Sequence, residues 1–524
     1  TTGNDNTAVG YASLSGNTTG ANNTAVGSLA GNAITTGIRN TIIGSLAGDA
    51  FTDADNNVAV GMLSLSTDTL GSHSVAIGTG ALSTQNFTSA TDTYNTAVGD
   101  SAGGAITTAI RNTLIGGLSG DAITTANFNT AVGYSSLGAT TTGILNAAVG
   151  DNALTANTTG TRNTAVGQAA LGSNTTAANN TAFGYNSLNA NITGDRNVAV
   201  GSLALDANTT SDGNTAVGYQ SLTTNVSSEL NTAVGFHSLR LNTAANNTAV
   251  GGTALDVNSS GANNTAVGVA ALAANTTGAD NTAVGKGALA SNTTASNNVA
   301  VGQSALDTNT TGSSNTAVGV NALDDNTTGA SLVAIGTNAL ANNTTANSNV
   351  AVGYQAAFTN TTGTKNIAIG ENAFFANTSG GDCVAIGHLA LDANTTGNYN
   401  MAMGSGALGA NTTADGNIAI GQAALNVNTG AYNVAIGIDA MAANTTAGSN
   451  VGIGRNVLVA NTTGDGNVAV GSLALDANTT ASNNTAIGFS ALTLNTTGHS
   501  NSAVGSSALG ANITGINNTA IGFL

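Results

Sequence analysis

Proline and tryptophan are missing from this 524-residue chain, cysteine occurs once, aromatic residues make up 3% and charged residues 6%. So few aromatic rings imply a thin cross-section, because large rings are what fill a thick core. The lone Cys383 excludes an internal disulfide. Only 8 residues are basic against 25 acidic, a formal net charge of −17. DNA, RNA and acidic membrane surfaces are therefore repelled, and nucleic acid is excluded as a partner. No apolar run approaches the ~18–20 residues of a membrane helix, and no charged-then-apolar leader opens the chain. Low charge alone would also fit a disordered chain. Here, however, the apolar residues reach 41% and fall at fixed phases, a regular supply that disordered chains lack.

The fixed phase is a repeat. Asn-Thr-Ala-Val-Gly returns throughout, and the Gly closing each copy marks 31 positions from Gly10 to Gly522. Of the 30 intervals, 27 are 17 residues, two are 16 and one is 21. A strict period near 20 residues signals a stacked-repeat solenoid. The expected fold is all-β: a parallel β-solenoid (β-roll) of about 31 coils, one continuous array over residues 1–524. At ~4.8 Å per coil it would extend roughly 150 Å. Neither end reads as a cap, so the array is expected to be an excerpt of a longer chain, with anchor and tip domains outside it.

Numbering each copy from its marker Gly as position 0 assigns roles. Position −1 is Val, Ile, Phe or Met, position −3 is mostly Thr, Val or Ile, and position −2 is Ala apart from Ile42, Leu114 and Gly452. Alternation around a small residue predicts a short strand, with −3 and −1 on one face and Ala on a tight opposite face. Leu at +4, present in 23 of 30 copies, is expected to begin a second short strand. Four copies put Gly31, Gly48, Gly103 and Gly120 there and carry Ile34, Phe51, Ile106 and Ile123 at +7 instead. This exchange predicts that +4 and +7 share one interior volume. All three length changes fall in the Asn-Thr-Thr-Gly limb, which is read as the surface loop.

Asn fills −4 in 28 of 31 copies, the exceptions being Ser74, Leu332 and Cys383. Stacked Asn can hydrogen-bond along the rod, or Asn can simply tolerate an awkward turn. Cys383 in that slot reads as a harmless substitution.

Phrases such as Ser74-Val75-Ala76-Ile77-Gly78, Asn366-Ile367-Ala368-Ile369-Gly370 and Cys383-Val384-Ala385-Ile386-Gly387 resemble the head repeats of trimeric autotransporter adhesins. The resemblance implies a left-handed parallel β-roll, three chains around one axis, and attachment to host or matrix. The repeat here is longer, with the extra residues in the Asn-Thr-Thr-Gly limb. Similar runs also resemble long viral tail fibres.

Enzyme signatures are absent, and no cofactor or metal is expected. His73, His237, His388 and His499 lie in turns of four distant copies. Asp206, Asp256, Asp307, Asp324, Asp392 and Asp476 share +5, readable as a calcium stripe or a solvated face. All eight Tyr sit at −5 (Tyr94, Tyr399, Tyr432) or +1 (Tyr11, Tyr134, Tyr185, Tyr219, Tyr354), and Arg39, Arg111, Arg162, Arg196 and Lys365 also sit at −5. These are either the roomy positions of a crowded rod or an adhesive stripe of interface-prone residue types. Asn-Thr-Thr matches the N-glycosylation acceptor pattern, which in a eukaryotic secretory route would coat the shaft with sugar.

The expected function is a structural shaft of an extracellular fibre or cell-surface adhesin. It would self-associate as a homotrimer or filament and offer a repeated surface to a host surface, matrix or carbohydrate, with no membrane insertion. Alternatives are a viral tail-fibre shaft and an ice-binding solenoid; the latter needs a flat Thr face, whereas loop-length changes interrupt the Asn-Thr-Thr limb.

Overall fold

A computed structural model describes residues 2–524. The chain forms two compact units, Thr1–Ser260 and Gly261–Leu524. Each is a parallel β-solenoid, and no helix occurs among the described residues. The first unit holds 15 three-residue strands from Thr7–Val9 to Thr248–Val250, the second 16 from Thr265–Val267 to Thr519–Ile521. Every such strand covers positions −3 to −1. Within each unit successive strands pair in parallel and strictly in register, Ala131 on Ala148 and Ala300 on Ala317 for example.

The strand is short because the coil must close within 17 residues. Three corners in each coil adopt the left-handed conformation: position −5, as at Arg39 (φ 57°), position +2, as at Asn338 (φ 57°), and position +4, as at Leu340 (φ 50°). The segment after the marker Gly is therefore a run of turns and not the second strand expected from Ala-Leu. A left-handed Leu costs about 1–2 kcal/mol. Its complete burial, worth a similar amount or more, offsets that cost. Among the described residues, the only additional strands are Gly71–Ser72 and Thr91–Asp92, paired where the 21-residue interval adds its loop.

The marker Gly is obligatory for two reasons. Its φ lies near +137° at Gly302, and a Cβ there would stand 2.4 Å from the carbonyl oxygen of Gly319 in the next coil. A side chain is excluded both by conformation and by the closeness of the stacked backbones.

The core is narrow. Away from the first and last coils, Ala at −2 and Leu at +4 are fully buried, so Ala points inward and the β-branched residues at −3 and −1 point out. The exchange between +4 and +7 is a matter of volume. Ile34, Phe51, Ile106 and Ile123 are fully buried, and a Cβ on Gly48 would meet the Phe51 ring at 2.6 Å. The two large residues at −2, Ile42 and Leu114, fill the space that Gly leaves: added Cβ atoms at Gly31 and Gly103 would meet them at 2.9 and 2.8 Å. Gly452 is the converse, with Val457 and Met441 closing over it at 3.1 and 3.2 Å.

Candidate functional site

Two amide ladders hold the coils. At −4, Asn298 Oδ1 accepts the backbone N–H of Asn315 at 2.9 Å, and its Nδ2 donates to the Gly312 carbonyl at 3.0 Å. The same pair of bonds recurs along the column, so the ladder reading holds. Its main links run from amide to backbone, with amide-to-amide bonds such as Asn40 to Asn23 in some coils. Position −4 is not the strained corner; −5 is. The second ladder, at +7, was not anticipated. Asn292, Asn309, Asn326 and Asn343 each donate Nδ2 to the Oδ1 of the preceding Asn at 2.8–3.0 Å, and all are fully buried. Its signal in the sequence is the Asn of every Asn-Thr-Thr, at the +7 position that the exchange with +4 places in the interior. The first Thr also bonds between coils: Thr310 Oγ1 donates to the Thr327 carbonyl at 3.0 Å. The Asn of each acceptor pattern is thus turned inward, and a sugar coat on this limb does not fit the fold.

Cys383 takes the place of an Asn in the first ladder. Its Sγ donates to the Gly397 carbonyl and accepts the N–H of Asn400, both at 3.4 Å, and burial pushes the thiol up to about 11. It is a structural thiol, as expected of one without a cationic neighbour.

The longest interval carries a buried polar cluster. Asp68 occupies +7 and is fully buried. It accepts from Gln85 Nε2 at 2.7 Å and from the N–H groups of Gly71 and Phe87. Gln85 also donates to Ser74 Oγ and accepts from Asn95 Nδ2. Asp68, Gln85 and Ser74 together replace three ladder Asn residues as one set. Burial raises the Asp68 carboxyl above its usual range, against the lowering effect of these donors.

The columns at −5 and +1 are exposed, reaching 68% at Tyr399 and 78% at Tyr11. They flank the two ends of the strand and do not converge on one cluster. Local groupings exist within a column. His73 stacks on Tyr94 at 5.2 Å and pairs with Asp92 at 3.0 Å, while Arg111 lies over the Phe128 ring at 5.5 Å. Arg196 pairs with Asp212 at 2.9 Å, Lys365 with Asp382 at 3.9 Å, and Tyr219 stacks on Phe236 at 5.9 Å. Tyr432 leans over Gly416, the −5 residue of the preceding coil. Tyr134, Tyr185 and Tyr354 stand exposed at +1, and Arg39 and Arg162 occupy left-handed corners at −5.

Position +5 also stacks on itself. Asp206 accepts from Thr223, Asp476 from Thr493 at 2.6 Å, and Asp256 is held by Arg240 through two bonds of 2.8 and 3.1 Å. Burial raises the carboxyls of Asp49, Asp121, Asp206, Asp307, Asp324 and Asp392, and the charges of Asp307 and Asp325 raise Asp324 further. Among the described residues, no group of three or more His, Cys, Asp or Glu side chains is placed to hold a metal ion.

Between the two flanking columns runs the outward strand face. In the first unit, Thr holds −3 in 11 of 15 strands. In the second, nine consecutive strands from Val333–Ile335 to Val468–Val470 carry Val, Ile or Met at both outward positions. Ile367 and Ile369 are each 38% exposed and Ile335 is 41% exposed. Among the described residues, no helix is long and apolar enough to cross a membrane. No model of a known protein family matches the chain, and no curated protein matches its sequence.

Proposed function

We propose that the chain is a non-catalytic shaft segment of an extracellular fibre or cell-surface adhesin, assembled from copies of itself through the outward strand face. The observation that carries this reading is the nine-strand apolar strip of the second unit. At ~4.8 Å per coil it is about 40 Å long, and contiguous apolar surface on that scale is uncommon on a lone chain. A second copy presents side chains at the same coil spacing, so the ridges of one strip can seat between those of the other along their whole length. Three chains around one axis, as the adhesin resemblance implies, would cover the strip completely. Repetition then makes weak contacts strong by avidity, and the exposed Tyr and Arg columns supply contacts to a host surface, matrix or carbohydrate. A viral tail-fibre shaft fits the same geometry.

Equilibrium sedimentation of the chain tests the proposal. The expected species is a trimer, and Ile367→Lys combined with Ile418→Lys converts it to folded monomers. A wild-type chain that stays monomeric at high concentration removes the self-association reading. Ice binding is a second reading, supported by the outward Thr column of the first unit, which the loop-length changes do not interrupt. Thermal hysteresis separates it from a shaft.

A further inference from the structure

A small cleft opens on the turn limb of the second unit, away from the strand face. It spans three coils, has a volume of about 160 Å³, and is lined by Gln355, Asn372, Phe375, Leu389 and Asp392. Its wall is made by an interrupted aromatic column. Phe358 and Phe375 occupy +5 in successive coils and stack at 5.4 Å with 10° between their planes. In the following coil +5 is Asp392. One face of the Phe375 ring is therefore covered by Phe358, and the other looks into the cleft toward a carboxylate. Leu389 supplies apolar floor, and the amide oxygen of Asn372 has no hydrogen-bond partner. Turning that amide toward a ligand breaks no bond made by this oxygen.

The chemistry these groups share is specific. One free aromatic face attracts the polarised C–H groups on the apolar side of a ring. A carboxylate accepts from two neighbouring hydroxyls, and two amides offer both donors and acceptors. The volume equals that of about five waters, far below the 300–1,000 Å³ of a drug-sized site, and suits one six-membered ring with its hydroxyls. An organic cation would also be drawn to Phe375 and Asp392, but it would leave both amides unused. We infer that this cleft binds a single neutral pyranose unit of a glycan, with the ring stacked on Phe375 and two hydroxyls on Asp392. The site is independent of the self-association reading.

Saturation-transfer NMR on the full chain with the methyl glycosides of glucose, galactose and mannose is the test, with choline as a cationic control. At least one glycoside is expected to bind at millimolar concentration, with transfer strongest to its ring C–H protons. Phe375→Thr and Asp392→Thr should each weaken binding at least tenfold. Both variants should fold, because Thr223 and Thr493 already occupy this position in other coils. Sedimentation should show their assembly state unchanged, which keeps failure here distinct from failure of the shaft reading. The inference falls if none of the glycosides binds, if both variants bind as well as wild type, or if choline alone is bound.

Discussion

At the scale of single residues, the fold is governed by what each position does with backbone polar groups that have no water to turn to. Asn at −4 takes up one N–H and one carbonyl per coil, and removing it leaves both stranded at about 1–3 kcal/mol each. Cys383 shows that a thiol can make the same two contacts at longer distance. Asn298→Leu is therefore expected to destabilise the chain by about 2–4 kcal/mol, and Asn298→Cys by clearly less. Denaturant titration of the two variants checks this order. Equal losses would mean that side-chain volume, and not hydrogen bonding, sets the preference at this position. The corner at −5 obeys a different rule. It lies in left-handed space, where Gly, Asn, Asp and Ser are at ease and Tyr, Arg, Phe and Leu are strained. Large residues there are tolerated because they point into solvent.

At the scale of the coil, the Asn-Thr-Thr limb is not the hydrated loop that its composition suggests. Its Asn is interior, its first Thr hydroxyl bonds to the next coil, and only the second Thr faces outward in the manner of a loop residue. An N-glycosyltransferase needs the very Nδ2 group that the +7 ladder uses twice, as Asn309 does with Asn292 and Gly312. The folded chain is expected to accept no sugar at these Asn residues, whereas the denatured chain accepts several. Mass spectrometry after enzymatic glycosylation in the two states reads the difference. Modification of the folded chain at Asn309 would show that the ladder opens readily. Length changes are nonetheless confined to this limb, because a bulge there can build its own support. The pair Gly71–Ser72 with Thr91–Asp92 and the set Asp68, Ser74 and Gln85 provide it.

At the scale of the whole molecule, charge is the dominant long-range term. Asp49, Asp68, Asp121, Asp206, Asp307, Asp324 and Asp392 all have carboxyls raised by burial. A carboxyl raised in the folded state binds its proton more tightly there than in the unfolded chain. Its protonation therefore favours folding: the gain is complete below the unfolded value near 3.8 and is lost as pH climbs through the folded value. Falling net negative charge acts in the same direction. The denaturation midpoint is expected to rise on acidification from neutral pH toward about pH 4. Asp324→Asn should reduce that rise, since it removes both a raised carboxyl and its repulsion with Asp307. A midpoint that falls over this range would contradict the assignment.

The period, the inward Ala and Leu, the shared volume of +4 and +7 and the limb that accepts insertions were all readable in order along the chain. Each is a local rule repeated some thirty times, and repetition makes a weak preference visible. Gly31 with Ile34 and Gly48 with Phe51 show packing recorded as covariation within a single sequence. Three things were decided only by the closed coil. Ala-Leu became turn and not strand, because a 17-residue circuit needs left-handed corners at −5, +2 and +4. The Asn of Asn-Thr-Thr became a ladder of amides and not mere interior filling, because only stacking supplies the amide of the next coil as its partner. And Phe375 came to face Asp392 across a cleft, a neighbourhood that exists between coils and is written in no single one of them.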